Sequence, residues 1–107
     1  MMQNNADLIT PSSMTQYVQS LVGRFYKILP LCESGSVTLD KYMNSLLREL
    51  LGCEQLSPSL RQDDRYTSLL AILRFLIDNH HDLAIVRADV FRAINIISQL
   101  KQKYMEV

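Results

Sequence analysis

Glycine and cysteine are scarce in this chain, and both shortages narrow the functions open to it. With three glycines in 107 residues, it contains neither G-x-x-x-x-G-K-[ST] nor G-x-G-x-x-G, the glycine-rich patterns that cradle phosphates in nucleotide-binding proteins. Two cysteines do not make the disulfide framework of a small secreted domain. We therefore expect a cytoplasmic protein without a nucleotide-binding loop.

The chain also lacks a surplus of charge and lacks a long apolar run. Eleven Lys and Arg balance eleven Asp and Glu, whereas a domain that grips nucleic acid through its phosphates usually carries a basic surplus. No stretch reaches the roughly 18 apolar residues that a membrane-spanning helix needs. These absences argue against nucleic acid as a partner and predict no association with a membrane.

What the sequence does have is a helical hydrophobic period. Apolar residues recur at steps of three and four, the spacing that places them on one face of a helix, in the segments 14–29, 39–51, 66–77 and 86–104. No segment alternates with the period of a strand. The pattern predicts an all-α protein, an up-down four-helix bundle that forms a single domain over residues 11–107 after a flexible tail at residues 1–10.

Capping residues and breakers place the ends of the first two helices. The first helix begins either at Thr10-Pro11 or at the capping box Ser13–Gln16. Pro30 is expected to end it, because the residue before a proline avoids the helical region. Gly52 is placed to end the second helix in the left-handed conformation. In the connection 53–63, Ser57-Pro58 predicts an extra short helical turn.

The third and fourth helices are separated by a short break. Asp63 or Asp64 is suited to cap the third helix and Asp82 to cap the fourth. Between Tyr66 and Ile77 only three residues are polar. Because a helix that is apolar nearly all round is a buried one, the third helix is expected to be the central helix of the bundle.

Three residues are weak candidates for a metal site: His80, His81 and Cys32. The bundle would bring Cys32 to the end that holds the two histidines, and imidazole and thiolate are both zinc ligands. Adjacent histidines without a second spaced pair nevertheless differ from known zinc patterns. We expect neither a metal nor another cofactor. Cys32 and Cys53 lie at opposite ends of the second helix, too far apart for a disulfide, and should both be free thiols.

No set of residues in the sequence indicates catalysis. Cys32 beside a histidine is a conceivable nucleophile and base, but no elbow motif such as G-x-S-x-G accompanies the pair. The adjacent carboxylates Asp63 and Asp64 are better explained as helix caps. We therefore expect the protein not to be an enzyme.

The apolar surface of the last two helices exceeds what one core needs. Phe75 lies roughly opposite the main stripe of the third helix, and Phe91 and Ile96 flank the main stripe of the fourth. Such residues either complete the core or form an interface, and the sequence leaves both alternatives open. Acidic residues lie nearby. The predicted partner-binding surface consists of Phe75, Asp78, Asp82, Asp89, Phe91 and Ile96.

This profile predicts a small non-catalytic protein-binding module. The narrower hypotheses are an immunity protein or antitoxin that neutralises a toxin, or a small adaptor. Its partner would be another protein, or a second copy of the chain in a homodimer. The alternative is a dimeric nucleic-acid-associated regulator from a mobile element, which balanced charge disfavours.

Overall fold

A computed structural model of the protein describes residues 10–105, and these residues are helical almost throughout. The helices are α1 (Pro11–Tyr26), α2 (Ile28–Glu33), α3 (Leu39–Leu56), α4 (Pro58–Arg61), α5 (Asp64–Asp78) and α6 (Leu83–Met105). No strand occurs within the described range. The all-α prediction is therefore confirmed. The predicted flexible tail, apart from Thr10, lies outside the described residues.

The four long helices share one hydrophobic core. Helix α6 packs most extensively against α1 and α5, and α5 also packs against α3. Fully buried side chains from each helix meet there, among them Val18, Leu50, Leu73 and Ile97. The resulting bundle is elongated, with extents of 51 × 23 × 19 Å. Among the helices at residues 10–105, none is both long enough and apolar enough to cross a membrane.

Helix α5 is not enclosed by the other helices, contrary to the sequence prediction. It buries Leu69, Leu73 and Leu76 in the core but leaves Ala71 and Phe75 exposed on its opposite side. Helix α6, which contacts α1, α2 and α5, has the more central place. The prediction failed because a helix in a bundle buries one broad stripe, and α5 carries apolar residues beyond that stripe.

The first helix ends earlier than Pro30, and Pro30 itself lies inside a helix. It is the third residue of α2, where the absence of an amide hydrogen costs little because the first amides of a helix have no partner within it. Helix α2 then ends at Glu33, and Gly35, two residues later, has a left-handed φ of 65°. The Ser36 amide donates to the Leu31 carbonyl and the Gly35 amide donates to the Cys32 carbonyl. This pattern closes a helix at a left-handed glycine, the role that the sequence had suggested for Gly52.

Helix α3 continues through Gly52 to Leu56, which shortens the connection predicted at 53–63. The short helix α4 follows at once. The Ser57 side chain caps it by accepting a hydrogen bond from the Leu60 amide. The extra helical turn predicted from Ser57-Pro58 is thus present.

Two aspartates cap the last two helices as predicted. The Asp63 carboxylate accepts the Arg65 amide at 2.8 Å at the start of α5. The Asp82 carboxylate accepts the Ala84 amide at 2.9 Å at the start of α6. Asp63 is buried, and its second oxygen pairs with the Lys103 ammonium, so this cap also joins α5 to the far end of α6.

A pair of tyrosine hydroxyls lies within the core and joins three helices. The fully buried Tyr66 of α5 donates to the Leu50 carbonyl of α3 at 2.8 Å. Its oxygen lies 3.3 Å from the Tyr17 hydroxyl of α1. Burial raises the pKa of both phenols above the usual value near 10. Both side chains are therefore neutral donors and acceptors at physiological pH.

Tyr66→Phe is expected to lower the free energy of unfolding by about 1 kcal/mol, because it removes the hydrogen bonds of a buried hydroxyl with the Leu50 carbonyl and the Tyr17 hydroxyl. Urea denaturation followed by circular dichroism measures the change. Tyr26→Phe is the control, since Tyr26 is exposed and its hydroxyl forms no hydrogen bond within the described residues. Equal stability of the two variants would show that the hydroxyl pair contributes nothing.

Candidate functional site

The six residues predicted to bind a partner do not form one continuous surface. Phe75 and Ile96 line the same groove between α5 and α6. Phe91 projects instead toward α1, where its ring meets that of Tyr26. The structure thus divides the predicted surface into a groove, a separate seam and the acidic residues around them.

The groove between α5 and α6 is a largely apolar hollow of about 380 Å³. We call its six lining residues the α5–α6 groove: Ser68, Ala71, Ile72, Phe75, Arg92 and Ile96. The Phe75 side chain is 46% exposed, and the small side chains of Ser68 and Ala71 leave space next to it. A hollow beside an exposed aromatic ring can bury an apolar side chain of a partner.

Charges of opposite sign lie at the two ends of the α5–α6 groove. At the α5–α6 turn, Asp78 and Asp82 are exposed, and neither forms an ion pair with another described residue. At the other end of α5, Arg61 and Arg65 are exposed together with Asp64, and the Arg65 guanidinium donates from Nε to the Gln99 side-chain oxygen of α6 at 3.2 Å. The surface is therefore acidic at one end and basic at the other, with an apolar centre.

Asp89 lies largely inside the bundle. Its residue is 8% exposed, and its carboxylate lies 3.2 Å from the Arg92 guanidinium one helical turn later. A buried carboxylate needs such a partner, because an unpaired charge is costly away from water. The Asp89 carboxylate therefore positions Arg92 at the edge of the groove. Because so little of Asp89 is exposed, it offers almost no surface to a partner protein.

Phe91 belongs to a second apolar surface, the seam between α1 and α6. Its ring meets Tyr26 edge to face, with centroids 5.8 Å apart and an angle of 84° between the ring planes. Farther along the seam, Val22, Ile94 and Met105 help to line a hollow of about 480 Å³. Phe91 therefore has an aromatic partner within the molecule. No ring contact of this kind is formed by Phe75 with the described part of the chain.

The metal candidates Cys32 and His80 do meet at one end of the bundle, but their polar atoms are already engaged. His80 Nδ1 lies 3.0 Å from the Leu76 carbonyl oxygen, and Nε2 lies 3.2 Å from an Asp40 carboxylate oxygen. The Cys32 thiol donates to the backbone carbonyl of His80 at 3.7 Å. Within residues 10–105, no three His, Cys, Asp or Glu side chains are grouped to hold a metal ion. These contacts join α2, α3 and α5.

The chemistry of the Cys32 thiol is also unfavourable for a nucleophile. Burial and the neighbouring Glu33 carboxylate raise its pKa, and the thiolate is the form that attacks carbonyls and binds metals. The adjacent His81 stacks on His80, with ring centroids 5.3 Å apart. Both Cys32 and Cys53 are free thiols, as predicted.

The site predicted from the sequence includes two of the six residues that line the groove and lacks the other four, Ser68, Ala71, Ile72 and Arg92. Ala71 and Arg92 lie four positions before the predicted residues Phe75 and Ile96, and residues four apart share a helical face. That spacing was a usable signal. The periodicity could not predict that this face of α5 lies next to this face of α6.

No protein-family model, no curated protein and no solved structure matches this chain.

Proposed function

We propose that this protein is a small non-catalytic protein-binding module and that it binds its partner through the α5–α6 groove. The observation that carries the proposal is the half-exposed Phe75 ring beside a hollow lined by Ala71 and Ile96. Folding leaves about half of this aromatic side chain in water, and burying that half would contribute on the order of 1 kcal/mol. A partner that covers the groove recovers that free energy, and buried aromatic residues are common hot spots of protein interfaces.

The contacts of Cys32 and His80 at one end of the bundle favour a binding function over a catalytic one. Both ring nitrogens of His80 face acceptors, a backbone carbonyl and the Asp40 carboxylate, so neither is directed toward a substrate. The raised pKa of Cys32 keeps its thiol protonated. The free state of both thiols also supports our proposal that the module works in the cytoplasm.

Ion pairing along α6 favours a protein partner over the alternative of a nucleic-acid-associated regulator. The basic side chains of α6 include Arg87, Arg92 and Lys103, and each pairs with an acidic residue of the bundle. A phosphate would have to replace these partners. The salt-sensitive affinity that accompanies phosphate binding is therefore not what we expect of this helix.

Toxin neutralisation, in the manner of an immunity protein or antitoxin, and the role of an adaptor are two uses that such a module could serve. The exposed carboxylates of Asp78 and Asp82 at one end of the groove suit a partner with a basic surface at that position, because complementary charges steer association. The chemistry of the groove supports a protein partner for either use.

Phe75→Ser is expected to abolish capture of the partner and to leave folding intact, because the ring lies on the surface. The experiment passes lysate of the organism over tagged protein at high salt, with an untagged copy of the chain present, and identifies stoichiometric partners by mass spectrometry. Phe91→Ser is the matched control, since that ring is 43% exposed but lies on the α1–α6 seam.

The proposal requires a protein that the wild type and the Phe91 variant retain and that the Phe75 variant loses. Retention of the same proteins by both variants would place the binding surface elsewhere. Absence of any retained protein, including the untagged copy, would contradict the binding function itself.

A further inference from the structure

We infer that the groove between α1 and α3 is a second docking surface and that its occupant is an acidic segment of another protein. Two lysine side chains without an ion-pair partner in the described chain line this groove, although the chain as a whole carries no net charge. The surface shares no residue with the α5–α6 groove, so it is independent of the binding site proposed above.

The groove consists of two hollows that adjoin along α3. The larger has a volume of about 270 Å³ and lies where α1 passes into α2. We call its six lining residues the basic groove: Lys27, Leu31, Thr38, Lys41, Tyr42 and Ser45. The second hollow, of about 180 Å³, shares Tyr42 and Ser45 with the first. The lining positions of the two hollows run from 38 to 49, about 16 Å along the helix, which matches roughly five residues of extended chain.

Tyr42 forms a fixed floor for the basic groove. Its hydroxyl donates to the Arg24 backbone carbonyl at 2.8 Å, which joins α3 to α1. The Lys27 ammonium lies 5.3 Å from the centroid of the Tyr42 ring, within the range of a cation–π interaction. The Lys27 side chain therefore has a preferred position before a partner arrives, which reduces the entropy that binding would cost.

The charges along the two hollows do not cancel. Arg24 pairs with Glu49 across the second hollow, so these two side chains add no net charge. Lys27 and Lys41 are exposed, and neither forms an ion pair within residues 10–105. Arg48 lies seven positions after Lys41, on the same side of α3, and is likewise exposed and unpaired among the described residues. This side of the protein is therefore locally basic.

The acidic residues near this end of α3 have other partners. Asp40 precedes Lys41 in sequence, but its carboxylate lies 3.2 Å from His80 Nε2. Glu33 pairs with Arg87 of α6 at 3.2 Å. The positive charge of the basic groove is therefore left for a partner to neutralise, and complementary charge both steers association and selects the partner.

The apolar part of the lining favours a protein segment over a nucleic acid. Leu31 and the Tyr42 ring line the same hollow as the two lysines, so a matching ligand offers apolar surface as well as negative charge. An acidic polypeptide offers both, because carboxylates and apolar side chains can alternate along it. Affinity for nucleic acid usually depends on many phosphate contacts, and this surface supplies only Lys27 and Lys41, with Arg48 nearby.

The test measures, by fluorescence anisotropy, the binding of a short fluorescein-labelled peptide that repeats glutamate-glutamate-phenylalanine. The comparison peptide has glutamine at each acidic position. The wild type is expected to bind the acidic peptide saturably and the glutamine peptide at least about tenfold more weakly. Lys27→Glu and Lys41→Glu should each weaken binding of the acidic peptide at least about tenfold, because a carboxylate then faces the carboxylates of the peptide.

Arg61→Glu is the matched control, since it makes the same change of charge at an exposed position of α4 outside the groove. It should change the affinity by less than about twofold, because charges far from the contact are screened by salt. Lys41→Glu should not disturb folding, because an acid in the first turn of α3 interacts favourably with the helix dipole. Circular dichroism checks that every variant keeps its helical signal.

A wild-type chain that does not bind the acidic peptide saturably would overturn the inference, as would an equal loss of affinity in Arg61→Glu and Lys41→Glu. Binding of a single-stranded oligothymidylate in place of the peptide, lost in Lys41→Glu, would overturn a protein segment as the occupant.

These failures are distinct from failure of the proposed function, because the partner captured through Phe75 should be retained by Lys41→Glu. In return, Phe75→Ser should leave binding of the acidic peptide unchanged. Peptide binding that Phe75→Ser abolished would place the peptide in the α5–α6 groove and overturn the second docking surface.

Discussion

Leu73→Asp is expected to unfold the protein. Leu73 lies at the centre of the buried face of α5 and has no exposed surface. Its removal alone costs about 2–5 kcal/mol through lost packing and the resulting cavity. The new carboxylate finds no partner there, and an unpaired buried charge adds several kcal/mol. The sum is comparable to the whole stability of a domain of this size, roughly 5–15 kcal/mol.

Circular dichroism provides the measurement, through the helical signal at room temperature and the melting temperature. Arg74→Asp is the matched control, because it introduces the same carboxylate at the next position, which is exposed. It should change the free energy of unfolding by about 0.5 kcal/mol or less. A Leu73→Asp variant that kept its helical signal and its melting temperature would refute the placement of this face in the core.

The second large effect concerns Asp63. Asp63→Ala is expected to lower the free energy of unfolding by about 2 kcal/mol, because it removes both the cap of α5 and the charge-assisted hydrogen bond to Lys103. Lys103 is well exposed, so the remaining ammonium returns to water at little cost. Urea denaturation at neutral pH measures the loss.

Asp63→Asn separates the two contributions. The asparagine side chain can still cap the helix, but it carries no charge for Lys103. We expect the Asn variant to lose roughly half as much stability as the Ala variant, since capping alone is typically worth about 1 kcal/mol. If both variants lost the same amount, the ion pair would account for the whole effect.

The same residue makes stability depend on pH in a defined direction. Burial would raise the pKa of the Asp63 carboxyl, but hydrogen bonds from Lys103 and the Arg65 amide, with the charges of both side chains, outweigh it and lower the pKa below 3.8. A group whose pKa is lower in the folded state stabilises the fold above its unfolded pKa. That contribution is lost as the pH falls from about 4 through the folded pKa.

The stability difference between the wild type and Asp63→Asn should therefore be full at pH 7 and shrink below about pH 4. Urea denaturation at a series of pH values measures it. A difference that stayed constant down to pH 3 would mean that the Asp63 carboxyl is not stabilised in its charged form.

Features that depend on local chemistry could be predicted from the sequence. The start of α1 at Thr10-Pro11, the cap of α5 at Asp63 and the cap of α6 at Asp82 each depend on a side chain and an amide two or three residues away. Between the two starts that the sequence allowed for α1, the structure has the earlier one. The apolar stripes were equally visible, because they depend only on the helical period.

Features that depend on which helices meet could not be predicted. The sequence marked Phe75 and Phe91 alike as apolar residues outside the main stripes. Only the pairing of α6 with α1 gives Phe91 an aromatic neighbour, and only the pairing of α6 with α5 forms the hollow beside Phe75. Pro30 is a further example. A proline can follow the end of one helix or lie in the first turn of the next, and which of the two occurs at Pro30 depends on the turn before it.

The most extensive helix contact in the described chain joins its first and last helices, α1 and α6. Their core residues, such as Val18 and Ile97, are almost eighty positions apart in sequence, so the chain between them must close into a loop before this contact forms. Folding is therefore expected to reach completion only after α6 has left the ribosome. Before α6 emerges, the apolar stripe of α1 lacks the helix against which it packs most extensively. The growing chain is most exposed to aggregation during that interval, because this apolar surface is still uncovered.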